Sequence, residues 1–350
     1  MILAIFLSVL LVFFAAAWLY QRAGIARDRR RFPPPGRMLA LGERRLHFCE
    51  QGSGSPVVVF EAGLAASSLS WSYVAPLVAS FTRAVSYDRA GLGWSDDCAL
   101  HTLDGLTEDL RSLLVAACIP PPYVLVGHSF GSLIVRAFAH RYPAETAGLV
   151  FVDPVSIAGW ANCSERDQKR ILLGAMLSRR GARLARIGIV RLALAAAGLP
   201  NKRITQAIAR ASAGKATPTL GRLAGEVQKL PAAAISVARA HWSTPKPFRA
   251  MANYLECLPA CAEAARGMPL SENVPFIVIS AANATPEELA EREDWVAHSR
   301  LGRHFQVPGT GHWLHLERPD VVAEAVKELV ETFRSMRHGV DGVVDPDTKS

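Results

Sequence analysis

The chain has 350 residues, half of them hydrophobic and a fifth charged, with a formal net charge of +8. That balance excludes a disordered, collagen-like or mucin-like polymer and leaves room for one large domain or two small ones. Six cysteines are too sparse for a disulfide-built scaffold, and the one close pair, Cys257 and Cys261, has no His/Cys cluster of zinc spacing beside it, so no structural metal is expected. The positive charge invites a nucleic-acid reading, but it is concentrated in one internal segment and behind an apolar leader, so no nucleic-acid partner is expected.

Ile2 to Tyr20 are apolar or aromatic except for Ser8, and as a helix they rise about 28 Å, enough to cross bilayer hydrocarbon. A secretory signal carries its Lys or Arg before the apolar core; here Arg22, Arg27, Arg29, Arg30, Arg31 and Arg37 come after it. Positive flanks remain in the cytoplasm, so residues 1–21 read as an uncleaved single-pass membrane anchor with the N-terminus outside and the body cytoplasmic. Cleavage near Ala15, Ala16 and Ala17, with export of the body, is the alternative. Residues 22–36 are then a basic, Pro-rich linker, ending in a stiff spacer from Phe32 to Gly36.

From Arg37 the pattern turns to short β-type runs. RMLAL and RRLHFCE predict an antiparallel hairpin turning at Gly42 and Glu43. Val57–Phe60, the run ending at Asp88, Tyr123–Gly127 and Gly148–Asp153 predict strands, with helices expected near Trp71–Ser80, Leu103–Cys118 and Phe130–Tyr142. This alternation implies a mostly parallel, doubly wound α/β sheet. It resumes with Pro275–Ser280, a helix near Pro286–Ser299, His304–Val307 and a closing helix over Pro319–Arg337. Residues 37–153 and 271–337 are therefore the expected core, and 338–350 a flexible tail.

Residues 154–270 carry no strand signal. Leucine- and alanine-rich helical stretches there are broken at Gly198, Pro200, Pro218, Pro231, Pro245 and Pro247, as in an inserted helical subdomain. The insert holds 18 Lys and Arg against 5 Asp and Glu, so the rest of the chain is net acidic. Ile171 to Leu199 read as one amphipathic stretch with Arg179, Arg183 and Arg186 on one face. This pattern suits either a helix lying on anionic headgroups or a solvated face.

YVLVGHSFGSLIVRAFA places Ser129 between Gly127 and Gly131, after a strand and before a helix. This G-x-S-x-G context puts the serine in a strained turn, with glycines relieving the crowding and the hydroxyl raised above the sheet. At these residues the chain resembles the α/β-hydrolase superfamily, in its serine hydrolase branch with a helical cap. The resemblance extends over about residues 37–337. FEAGLAASSLSW (Phe60–Trp71) is similar to that family's oxyanion loop, YDRAGLGWSD (Tyr87–Asp96) to its turn after the fourth strand, and PGTGHWLHLERP (Pro308–Pro319) to its histidine loop. The resemblance implies Ser129 as nucleophile and His312 as general base, with Leu64 and Phe130 giving backbone N–H groups to an oxyanion hole. His315 is the rival base; Gly309 and Gly311 favour His312.

Family members most often carry the acid after the seventh strand, where this chain has VISAANATPEE with Asn283 near the expected aspartate. Asp153, at the end of the sixth strand, is the alternative position, because both strand ends open on the same sheet edge. Asp153 is the expected acid, with Glu287 or Glu288 as substitutes and a plain turn aspartate before Pro154 as the bland reading. Asp88, Arg89, Gly91 and Gly93 are expected to brace the neighbouring loop.

A serine at 129 suits acyl transfer, whereas the haloalkane dehalogenase and epoxide hydrolase branches use an aspartate nucleophile. No dinucleotide fingerprint, P-loop or H-E-x-x-H helix is present, and no cofactor is expected. The expected partner is a small-molecule carboxylic ester, apolar or lipid-derived if the basic cap lies on the membrane. The alternatives are the same triad on another bond, as in aminopeptidases, C–C hydrolases or cofactor-free perhydrolases, and a non-catalytic binding module.

Overall fold

The computed structural model describes residues 1–97, 102–197 and 227–341. Its centre is an eight-stranded sheet in the order β1-β2-β4-β3-β5-β6-β7-β8. β1 (Arg37–Leu41) and β2 (Arg44–Gln51) form the leading antiparallel hairpin, with Gly42 at φ +61° in the turn. β2 also pairs antiparallel with β4 (Ala84–Tyr87). From β4 onward the pairing is parallel through β3 (Val57–Glu61), β5 (Tyr123–His128), β6 (Thr146–Val152), β7 (Phe276–Ala281) and β8 (Gly302–Val307).

Both faces of the central strands are covered, which is why they read as unbroken apolar runs rather than alternating ones. On one face Val57, Val59, Leu125, Leu149, Phe151 and Val278 join a core that also takes in α3 (Leu103–Ala116) and α4 (Gly131–Arg141). On the other, Val58, Phe60, Val124, Val126, Val150 and Ile277 pack with α2 (Val74–Ala79) and, after β8, the C-terminal helix. The chain leaves β3 to one side, towards β4, and returns on the other at β5. This reversal of strand order opens a crevice at the C-terminal strand ends.

Among the described residues, the elements between β6 and β7 are all helical: α5 (Ile157–Ala161), α6 (Glu165–Arg186), α7 (Ile189–Ala197), α8 (Ala232–Trp242) and α9 (Pro245–Arg266). The single amphipathic stretch expected over Ile171–Leu199 is two helices, because the chain turns at Gly188, φ +79°. Arg179 is not free on a solvated face but pairs with Glu256 of α9. The expected breaks at Gly198, Pro200 and Pro218 lie outside the described residues. α10 (Pro286–Ala297), closed by a Thr285/Glu288 capping box, and α11 (Leu314–Glu317) precede α12 (Pro319–Asp341). α12 thus runs past the expected end at Arg337, and the rest of the expected tail, 342–350, lies outside the described residues.

The N-terminal helix α1 spans Ile2–Arg31, and an 18-residue window in it has mean hydropathy 2.8 with no residue buried, long and apolar enough to cross a membrane. The linker expected over 22–36 is helical as far as Arg31. Gln21 is buried and Asp28 half-buried against the inserted helices, and no proline interrupts the helix before Pro33.

Candidate active site

β5 delivers Ser129 into a turn that few side chains tolerate. Ser129 has φ +52°, in the left-handed region that L-residues other than glycine seldom occupy. Glycine is required on both sides because the backbones crowd there. A Cβ on Gly131 would lie 2.6 Å from the Glu61 carbonyl oxygen, and one on Gly127 would lie 2.8 Å from that of Gly131. Phe130 follows as the N-cap of α4, so its N–H is among the helix-end donors that have no intrahelical partner.

β6 delivers Asp153 by a similar device, a non-glycine residue at φ +41°. The Ser129 hydroxyl donates to His312 Nε2 at 2.9 Å, and His312 Nδ1–H donates to Asp153 Oδ2 at 2.6 Å. The other carboxylate oxygen accepts from Ala281 N–H at 3.1 Å and from Arg292 at 3.0 Å. Arg292, buried on α10, also reaches Ser280 Oγ and the Pro154 carbonyl, each at 2.7 Å. Burial by itself would raise the Asp153 carboxyl, but the hydrogen bond from His312 and the Arg292 charge hold it below the ordinary carboxylate range. It stays an acceptor, and His312 keeps its proton on Nδ1.

The alternative acids are elsewhere. Asn283 and Glu287 are exposed, and the Glu288 carboxylate closes the α10 capping box by accepting from Thr285 N–H. The rival base His315 is fully buried, its ring tilted against those of His128 and Trp71 at 4.2 and 4.7 Å between ring centroids. Burial, and then the neighbouring His312, push it down to about 3. Neither of its ring nitrogens has a hydrogen-bond partner among the described residues.

The loop after β3 lies directly against the serine, since a Cβ on Gly63 would sit 3.6 Å from Ser129 Cβ. Arg89 fixes this loop. Its guanidinium donates to the carbonyls of Ala62, Gly63 and Leu64, pairs with Glu61, and stacks 5.3 Å from the Phe130 ring. One buried cation therefore ties the Leu64 peptide to Phe130, the residue that follows Ser129. Two of these contributors carry no distinctive sequence signal. Arg292 stands among glutamates in PEELAERED and reads as a solvated helix face, and His128, whose Nε2–H donates to the His312 carbonyl at 2.8 Å, reads as part of the serine motif.

The sequence matches the alpha/beta hydrolase family over residues 58–325. The chain belongs to that family. Within this alpha/beta hydrolase, a segment of 108 residues is 39% identical to the uncharacterized protein YqjL of Bacillus subtilis, covering 30% of this chain and 42% of that one. Another of 111 residues is 29% identical to Epoxide hydrolase 1 of Caenorhabditis elegans, covering 31% and 27%. The matched stretch is less than half the length of either relative. Among solved structures, MGS-M2, an alpha/beta hydrolase enzyme from a Medee basin deep-sea metagenome library, superposes with a TM-score of 0.60 at 18% identity, over 85% of this chain and 97% of that one. At that identity the likeness speaks for the fold alone.

Proposed function

We propose that the chain is a membrane-anchored serine hydrolase that cleaves carboxylic esters through an acyl-enzyme. The reading is carried by the continuous Ser129–His312–Asp153 hydrogen-bond chain at the open end of the sheet. His312 Nε2 takes the hydroxyl proton as Ser129 Oγ attacks the ester carbonyl, and Asp153 stabilises the imidazolium that forms. The Leu64 and Phe130 N–H groups hold the negative oxygen of the tetrahedral intermediate. Collapse expels the alcohol, which takes the proton from His312; a water deprotonated by the same nitrogen then releases the acid. The His312 side chain is 46% exposed, so water reaches it.

Epoxide opening, the reaction in the name of one relative, fits these residues poorly. Attack by Ser129 Oγ on an epoxide carbon would leave an alkyl ether, with no carbonyl for a second water to attack. An aspartate nucleophile leaves an ester that water can cleave. Labelling by a fluorophosphonate probe tests the reading: wild type should react and Ser129→Ala should not. A folded wild-type protein that resists the probe, and turns over none of a series of p-nitrophenyl esters, would overturn it.

A further inference from the structure

The anchor helix is built into the body rather than tethered to it. Past the apolar stretch, Gln21 is 2% exposed; its side-chain N–H donates to the Ser243 carbonyl and its oxygen accepts from Arg191 Nε, both at 2.8 Å. Arg191, 5% exposed, also forms an ion pair with Asp28 one helical stretch further on. Arg191 crosses α1 closely at Gly24, where a Cβ would fall 2.5 Å from its Nε. The chain then stays on the core, with the Phe32 carbonyl accepting from Trp94 Nε1 at 3.0 Å and that of Pro35 from His47 Nε2 at 2.5 Å.

These contacts fix the height of the inserted helices against α1. A Cβ on Gly188, in the turn between α6 and α7, would lie 3.1 Å from the Tyr20 ring and 3.4 Å from the Ala17 carbonyl oxygen. The turn is therefore level with the end of the apolar stretch, where a helix starting at Ile2 and rising 1.5 Å per residue leaves about 30 Å of hydrocarbon. Trp18 and Tyr20 are exposed at this level, with the Arg22 guanidinium 5.4 Å from the Trp18 ring, the arrangement that suits a membrane–water interface. The turn itself shows Leu184, Ile189 and Leu192 at 43%, 40% and 54% exposure, with Arg180, Arg183 and Arg186 exposed beside them.

We propose that the α6–α7 turn sits in the headgroup layer of the same bilayer that α1 crosses, its leucines and isoleucine dipping below the phosphates and its arginines pairing with them. This rests on reading α1 as a membrane span. Anchor and inserted helices then form one membrane-seated unit, held by the Gln21–Arg191–Asp28 cluster. The unit extends to the catalytic machinery, because α8, which ends one residue before Ser243, packs through Ala234 and Ala238 against Leu316 and Trp313 of the histidine loop.

The test uses the full chain in nanodiscs of phosphatidylcholine and phosphatidylglycerol, with a genetically encoded fluorescent amino acid at Trp18, Leu184, Leu192 or, as control, Lys327 on α12. Nitroxide-labelled lipids should quench the probes at 184 and 192 several-fold more than the probe at 327. Equal quenching at 184, 192 and 327 would overturn the proposal, and an unquenched probe at 18 would overturn the span beneath it. Arg191→Met should lower quenching at 192 and leave it intact at 18; no change at 192 would reject the cluster as the link. Fluorophosphonate labelling of the same nanodiscs separates the two readings. A labelled protein with an unquenched turn loses only this inference, and an unlabelled one with a quenched turn loses only the hydrolase.

Discussion

Two buried acid–arginine pairs flank Ser129. In one, Glu61 at the end of β3 meets Arg89; in the other, Asp153 at the end of β6 meets Arg292. Both arginines also donate to backbone carbonyls nearby. The difference lies in the second carboxylate oxygen. Glu61 gives it to the Tyr87 hydroxyl, a phenol that burial and then the Glu61 charge hold well above its ordinary value, so the group is closed on itself. Asp153 turns it towards His312, whose side chain is half in solvent. Glu61 is closed inside the fold as a brace, whereas Asp153 leaves one oxygen on His312, where the proposed function makes it part of a reactive chain.

The largest expected effect comes from opening the reactive side. Asp153→Asn keeps the shape but removes the acceptor that fixes the His312 tautomer, so kcat for a p-nitrophenyl ester should fall about 10⁴-fold. Arg292 keeps its bonds to Ser280 and Pro154 but loses its buried charge partner, so the thermal midpoint should fall as well, and kcat is compared at a temperature where both proteins are folded. A loss below about tenfold would place the functional acid elsewhere and dissolve the contrast with Glu61.

On the closed side the main cost is stability. Arg89→Met leaves Glu61 buried and unpaired, for an expected loss of about 3–5 kcal/mol in a urea titration. Glu61→Gln combined with Arg89→Met should recover a good part of it. If the double variant is as unstable as the single one, Arg89 acts through its hold on the Ala62, Gly63 and Leu64 carbonyls rather than through the charge pair.

Arg292→Gln distinguishes positioning from bracing. Asp153 keeps the Ala281 N–H and His312, so the fold should survive, while looser placement of the imidazole lowers kcat about 10- to 100-fold with KM nearly unchanged. Arg292 helps to hold the Asp153 carboxyl low, so its removal should shift the acid limb of the kcat/KM profile to higher pH. An unshifted limb would make Arg292 a purely structural residue.

The strands were legible because burial on both faces leaves unbroken runs such as VVVF and FIVIS, and Ser129 because its flanking glycines answer to a steric need visible in the spacing. The continuation of α1 to Arg31 was not legible. A run of arginines and alanines after a hydrophobic segment looks the same whether it is a linker or a helix whose Gln21 and Asp28 meet Arg191, 170 and 163 positions away. Arg292 escaped for the same reason: its partner lies 139 residues distant, and local sequence carries no trace of it. The turn at Gly188 was within reach, since a glycine closing a run of arginines is a helix-stop signal, but the continuing leucine pattern masked it.

The smallest effect separates the two flanks by pH. On the brace side burial would lower His47, but its hydrogen bond to Asp88 and that carboxylate's charge prevail and raise it above 6.5. Beneath the histidine loop, burial lowers both His128 and His315, the latter to about 3. A histidine kept neutral in the fold costs stability only where the unfolded chain binds a proton that the folded one refuses. For His315 that window runs from about pH 6.5 down to about 3; stability is intact above it and declines as the pH falls through it. At pH 5 the penalty is about 2 kcal/mol, from 1.4 kcal/mol per pH unit below the unfolded value. His315→Phe keeps an aromatic ring between Trp71 and His128 and removes the proton site. Thermal melts at pH 7.5 and 5 should therefore converge by a few degrees in the variant relative to wild type. His47→Gln should change the spacing of the two melts in the opposite direction, because a raised histidine adds stability at low pH that is lost as the pH climbs through its folded value. If both variants keep the wild-type spacing, the acid sensitivity of the fold arises outside these histidines, and the two flanks differ only in where their carboxylates point.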